Sequence, residues 1–130
     1  MRPRSDGDPR RRLGARGERE AARYLRRRKR YRILARNYQC PAGEIDIIAS
    51  DGPTLVFVEV KTRSTREHEE PLPRISPFQR GQIEGAAKYF LMRNTAQDRP
   101  SRFDVVTVCF PCNGKPWIEH FEDAFGPTVG

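Results

Sequence analysis

The segment from Gly43 to Arg63, GEIDIIASDGPTLVFVEVKTR, constrains this chain more than any other stretch. Ile45 to Ala49 and Leu55 to Val60 are apolar, β-branched or aromatic runs of strand length. The Asp51-Gly52-Pro53 between them is turn chemistry, so the segment reads as a β-hairpin. Into this hairpin the sequence places Glu44, Asp46, Glu59 and Lys61. Glu and Lys are seldom buried without a partner, so charges inside the most hydrophobic strands of the chain require an explanation.

Side chains alternate faces along a strand, and directly opposed residues of an antiparallel pair share a face. A four-residue loop, Asp51 to Thr54, sets Asp46 opposite Glu59 and Glu44 opposite Lys61; a three-residue loop would separate them. The even loop is the better expectation, because it keeps Pro53, which has no N–H to donate, out of the ladder. The expected result is a cluster of three carboxylates with one ammonium beside it. Opposed like charges destabilise a sheet, and a hard divalent cation, Mg²⁺ or Mn²⁺, bridging Asp46, Glu59 and Glu44 offsets that repulsion. Such a cluster suits metal-assisted attack of water on a phosphodiester, with Lys61 orienting the nucleophile or stabilising developing charge, and it needs no His, Ser or Cys. The competing reading is a solvated hairpin face carrying charge for solubility. Val58 and Val60 on either side of Glu59 argue against it, since the strand is too apolar for an ordinary surface edge.

A chain of 130 residues allows one domain with a real core. Its formal charge of +8 is unevenly spread: residues 1 to 36 hold 15 of the 25 Lys and Arg and 4 of the 17 acids. That segment is therefore +11 and the remainder −3. Positive charge kept apart from an acid cluster is the layout expected of a protein that binds an anionic polymer beside a metal site. Residues 1 to 12 have hardly any apolar content and are expected to be a disordered basic arm, with a single domain over 13 to 130. Arg10, Arg11, Arg12, Arg27, Arg28 and Arg63 are the candidate phosphate contacts; a solubilising tail is the plainer alternative for the arm. The arm lacks the apolar core of a signal peptide, and no run reaches membrane-spanning length. A cytoplasmic protein with no membrane partner is expected, and three cysteines suit reduced thiols there.

From about Leu13 to Lys29 the pattern is helical, with Gly14, Gly17, Ala21, Tyr24 and Leu25 on one stripe and arginines facing water. Glu18 flanks that stripe, from where it could reach the acid cluster; on the helix alone, an ordinary surface ion pair explains it better. Tyr31 to Gln39 reads as a first strand. A long polar connection follows Arg63, and His68 within it belongs to a solvated charge run more naturally than to a metal site. Ser76-Pro77-Phe78-Gln79 is a capping box with Pro at the first helical position, which accounts for Gln79 structurally. The second helix has Ile83, Ala86, Ala87, Phe90 and Leu91 on one face. Arg102 to Phe110 is a strand reached by a right-handed crossover, hence parallel to Leu55–Thr62 and part of a mixed sheet. Asp104 at its start either belongs to the site or pairs with Arg102 or caps a turn. Pro116 to His120 reads as a short edge strand, with Phe121, Ala124 and Phe125 tucked onto the core. Cys109-x-x-Cys112, with Cys40 and His120 as the only further ligands, is a weak zinc signal.

Several of these motifs together carry a family resemblance. Gly43-Glu44-Ile45-Asp46 followed by Val56-Phe57-Val58-Glu59-Val60-Lys61-Thr62-Arg63 resembles the YraN-like family of uncharacterised bacterial proteins. So do Gly17-Glu18, Ile33 to Tyr38, Arg102 to Val106 and Asp123 to Phe125. That family is grouped with the restriction-endonuclease-like, PD-(D/E)XK superfamily, which also holds archaeal Holliday-junction resolvases. The resemblance implies an α-β-β-β-α-β core with a mixed sheet flanked by helices. It also implies metal-binding Asp46 and Glu59, a catalytic Lys61, an accessory acid at Glu18, and a Mg²⁺-dependent nuclease acting on DNA. A homodimer enters only by analogy with the resolvases, and the competing class is a non-catalytic nucleic-acid-binding protein of the same fold. The sequence departs from the pattern in having no Pro before the acid. It has Gln79-Arg80 where the family carries a Lys-Gln pair.

Overall fold

The computed structural model describes residues 9–64, 73–111 and 114–126. Its elements are α1 (Pro9–Arg27), β1 (Arg32–Cys40), β2 (Gly43–Asp51), β3 (Thr54–Arg63), α2 (Pro77–Arg93), β4 (Ser101–Cys109) and β5 (Trp117–Phe125). They form an α/β fold in which a five-stranded sheet of order β1-β2-β3-β4-β5 lies between two helices. β3 and β4 are parallel, joined through α2, and every other neighbouring pair is antiparallel, so the sheet is mixed as the strand-helix-strand order requires.

Two boundaries differ from expectation. α1 begins at Pro9, so Arg10, Arg11 and Arg12 are helical and not part of a disordered arm. Pro suits a first helical position, and arginine is a good helix former that a polarity argument undervalues. Residues 1–8 of the expected arm lie outside the described residues, as do His68 and Cys112. β5 reaches Phe125, because Phe121 and Phe125 pair with Val105 and Phe103 and continue the strand past His120.

The α2 face of the sheet buries Ile45, Ile48, Leu55, Phe57, Phe103 and Val105 against Ile83, Ala86 and Ala87. The α1 face buries Ile47, Val56, Val58, Val106 and Val108 against Ala21, Ala22 and Leu25. Strict alternation would put Ile45 and Ile48 on opposite faces, yet both lie on the α2 side. The irregularity falls at Asp46. β1 pairs Arg36 with Ile47 and Tyr38 with Ile45, passing over the position between, where Asn37 has a φ of 52°.

The central hairpin has the expected register and a tighter turn. Asp51 pairs with Thr54, leaving Gly52-Pro53 as the turn and Pro53 outside the ladder. Pairing runs to Ile47 and Val58 and stops. Beyond that point β2 stays with β1 through Tyr38–Ile45 and Gln39–Glu44, while β3 stays with β4 through Glu59–Val105 and Lys61–Thr107. The sheet thus forks between β2 and β3, and neither Asp46 with Glu59 nor Glu44 with Lys61 forms the directly opposed ladder pair that the hairpin pattern predicts.

Two glycines hold the helices at this fork. A Cβ on Gly17 would collide with Thr62 Oγ1, so its absence lets α1 press on the end of β3 and sets Glu18 beside the opening. Gly43, at φ 153°, meets the Gln82 backbone carbonyl, which brings the start of β2 against α2. A side chain there faces backbone that cannot swing away, in a conformation that favours glycine. Gly43→Ala is therefore expected to lower unfolding free energy by about 2 to 3 kcal/mol in urea titrations, the range for overpacking plus backbone strain.

Candidate active site

The fork is filled by a carboxylate. Asp46 Oδ2 accepts a hydrogen bond of 2.8 Å from the Val60 N–H, a donor that lies past the last β2–β3 ladder pair. The Asp46 and Glu59 carboxyl groups approach one another across the gap closely enough that each shifts the other's titration. Glu59 Oε2 lies 3.6 Å from Lys61 Nζ and accepts from Gln79 Nε2 at 3.4 Å. Lys61 Nζ donates in turn to Gln79 Oε1 at 3.2 Å. Acid, ammonium and amide therefore close a small ring on the α2 side of the sheet, with the Glu59 and Lys61 side chains only 13% and 25% exposed.

This setting disfavours negative charge. Burial, then the neighbouring Asp46, push the Glu59 carboxyl up to about 8, with Lys61 opposing. Burial also raises Asp46, against the Val60 N–H and Glu59, which favour its charged form. These directions hold Glu59 toward its protonated form. Glu18 is raised as well, by burial and then by Asp46, with Arg36 and a hydrogen bond from Asn37 acting the other way.

Asp104 provides the contrast. It is fully buried, and it accepts from Arg102 Nε at 3.0 Å and from the Asp123 N–H at 2.9 Å, with His120 Nε2 at 2.8 Å from its other oxygen. Burial would raise its pKa, but His120, the Asp123 N–H and Arg102 outweigh burial and the net shift is downward. Arg102 also donates to Tyr31 Oη at 2.6 Å and to Asp51. Of the three readings open for Asp104, pairing with Arg102 is the one the structure shows. Its carboxylate secures the irregular register between β4 and β5 at Phe103/Val105.

Of the acids expected in one cluster, Asp46 and Glu59 meet, and Glu18 stands in electrostatic range of Asp46. Glu44 makes no direct contact with them: it is exposed on β2 and paired in the ladder with Gln39, because the strands part before reaching it, and its charge acts at longer range, raising Asp46 and Glu18. Among the described residues no group of three or more His, Cys, Asp or Glu could hold a metal ion. The site is therefore an acid pair and not the three-carboxylate cluster that the hairpin pattern predicts. Gln79 was missed. Its backbone N–H bonds to Ser76 Oγ at 3.1 Å, as the capping box requires, but its side chain turns to Glu59 and Lys61. The capping box accounts for the backbone of Gln79, and the one pointer to its side chain in the sequence is that Gln79-Arg80 stands where the resembled family carries a Lys-Gln pair. The expected phosphate contacts do not make one patch, since Arg10 to Arg12 and Arg27 sit at opposite ends of α1, about 25 Å apart. Arg63 ends β3, beside Cys109 of β4. Cys40 and Cys109 are free thiols.

Fold and site together define an α/β protein with a half-buried pair of acids, both raised, in a forked mixed sheet. The chain belongs to the family described as uncharacterised protein family UPF0102, whose model matches residues 17–108, and this agrees with the YraN-like resemblance. It is 49% identical over 113 residues to a UPF0102 protein of Geobacter sulfurreducens, covering 87% of this chain and 88% of that one. A UPF0102 protein of Geotalea uraniireducens is 47% identical over the same length, with the same coverage. One from Chlorobium limicola is 41% identical over 123 residues, covering 91% of this chain and 95% of the relative.

The raised Glu59 gives a signed pH dependence. A carboxyl raised on folding contributes stability that is complete below its ordinary value of 4.5 and lost as pH climbs to about 8. Asp104, lowered, acts in the opposite sense and contributes stability that disappears on the acid side. In EDTA, the urea midpoint of the wild type is expected to fall between about pH 5 and pH 8, and Glu59→Gln to flatten that fall.

Substitutions at Asp46 separate charge from hydrogen bonding. Asp46→Asn keeps an acceptor for the Val60 N–H and removes a charge, so the metal-free protein should be unchanged or more stable by up to about 1 kcal/mol. Asp46→Ala leaves that N–H without its partner and should cost about 1 to 3 kcal/mol. Chemical denaturation of both variants checks the difference.

Proposed function

We propose that this protein is a Mg²⁺- or Mn²⁺-dependent nuclease of restriction-endonuclease-like fold that hydrolyses phosphodiester bonds in DNA. The observation that carries the reading is the pair Asp46–Glu59, held face to face at a break in the sheet with Lys61 beside it. A structural role gives no reason to set two acids side by side away from water, and Asp104 shows how this fold treats a carboxylate it uses structurally.

The residues present fit a hard divalent cation. Mg²⁺ takes one or two carboxylates and fills its remaining positions with water and substrate phosphate oxygens, so the acid pair is sufficient without Glu44. Asp46 and Glu59 would hold such a cation, and it would supply a lowered pKa to bound water and positive charge beside the phosphate. Asp46 is kept in place by the Val60 N–H, and Glu59 by the Gln79 amide. Lys61 supplies a fixed positive charge at the edge of the site, where it orients a water or meets charge developing on the phosphate. Gln79 acts through Lys61 and Glu59 and is a positioning residue. Glu18, raised and close to Asp46, stands on the other side of the fork as an accessory acid.

Among the described residues no helix is long and apolar enough to cross a membrane, and the free thiols of Cys40 and Cys109 suit the reducing cytoplasm, where we place the protein. The competing reading, a nucleic-acid-binding protein without catalysis, predicts binding that is indifferent to the acid pair.

Incubation with linear, branched and single-stranded DNAs in Mg²⁺, Mn²⁺ or EDTA tests the proposal. Cleavage is expected with metal only, to be abolished by Asp46→Asn and by Lys61→Ala, and to fall about tenfold or more in Gln79→Ala. Calorimetry with Mn²⁺ should show binding retained in Lys61→Ala and lost in Asp46→Ala/Glu59→Ala. Binding to DNA without cleavage under any of these conditions would turn the assignment to the non-catalytic class.

A further inference from the structure

Of the arginines singled out from the sequence, Arg27 also belongs to a second set, gathered along the C-terminal half of α1. Arg19, Arg23, Arg26 and Arg27 of α1, with Arg36 of β1, line a groove of about 270 Å³ between the helix and the edge strand. Arg19, Arg23 and Arg26 recur at intervals of four and three residues, so they stand on one face of the helix. Ala22 lies at the base of this groove, and Glu20 is the only acid lining it. Glu20 lies 3.9 Å from Arg23, in a partly exposed pair that does little to neutralise the row.

The groove leads to the fork. Glu18, one residue before Arg19, is within electrostatic range of both Arg36 and Asp46, and Arg36 pairs on the sheet with Ile47, the neighbour of Asp46. A chain of anions laid along the groove therefore arrives at the acid pair from the α1 side, past Glu18. From Arg19 to Arg26 the helix rises about 10 Å. That length is on the scale of a few successive phosphates of one nucleic-acid strand. A membrane surface is the poorer fit. Membrane-surface helices set large apolar side chains opposite their basic face, whereas Leu25, between these arginines, is buried in the protein core.

We propose that the α1–β1 groove is the track for the phosphate backbone of a DNA strand leading to the acid pair, held by Arg19, Arg23, Arg26, Arg27 and Arg36. The identity of the strand as substrate rests on the nuclease reading; its binding does not. Phosphate contacts carry no sequence information, so the track holds any DNA sequence alike and gives binding a strong salt dependence.

Fluorescence anisotropy with labelled DNA oligonucleotides, in EDTA and over a range of salt concentrations, measures this separately from cleavage. The full chain carrying Arg19→Gln, Arg23→Gln and Arg26→Gln is expected to lower the slope of log affinity against log salt by about 2 to 3. Affinity should fall similarly for oligonucleotides of unrelated sequence. Lys88→Gln/Arg93→Gln on α2 should keep the wild-type slope. Should the triple variant fail to fold by circular dichroism, the three single variants replace it, each expected to lower the slope by about 1. An unchanged slope in folded variants overturns the proposal. So does a wild type that binds no DNA, or one that binds phosphatidylserine vesicles in its place. A lowered slope in a protein that never cleaves supports the track and overturns only the nuclease reading.

Discussion

The hydrogen bond from the Val60 N–H to the Asp46 carboxylate governs the geometry of this protein. It sits where β2 and β3 stop pairing, and it lets a sheet open without leaving a buried donor unsatisfied. The opening is what gives Asp46 access to Glu59 across the gap. The opposite faces are then closed by helices brought near through missing side chains, at Gly17 under Thr62 and at Gly43 under Gln82. A bulkier residue at either place would move the helix that carries Glu18 or the one that carries Gln79.

Two buried carboxyl environments show how the same side chain is turned to opposite ends. Asp104 is given an arginine, a histidine and a backbone N–H, and its charge is stabilised. Asp46 and Glu59 are given each other, with a single lysine that is itself shared with Gln79. The first arrangement fixes a strand register; the second holds Glu59 toward its protonated form. Acids raised by burial and by one another are a frequent mark of a functional site, and the groove beside Glu18 is lined mostly by arginines.

Much of this was legible in the strand pattern. Alternation and turn chemistry gave the hairpin, and the need to keep Pro53 out of the ladder gave its register, which the pairs from Asp51–Thr54 to Ile47–Val58 obey. The parallel placement of β4 followed from the intervening helix. Pattern reasoning extends a ladder indefinitely, however, and so put Glu44 opposite Lys61. Nothing local in Gly43 to Arg63 announces that pairing ends at Ile47; on the β1 side Asn37, in register with Asp46, takes a positive φ, and the shift of register lies elsewhere in β1, between Ile33 and Ala35.

Composition and spacing marked Asp46, Glu59 and Lys61 as the residues to explain, since charges within such apolar strands do not fit an ordinary solvated surface. Tertiary structure decided their arrangement. It reduced three acids to a pair, turned the Gln79 side chain from its cap to Lys61, and gathered Arg19, Arg23, Arg26 and Arg36 from two elements into one groove. The reason is physical: residue type and local period are written along the chain, whereas the meeting of β1, α1 and α2 around one fork depends on which backbones can approach closely, and only the packed fold settles that.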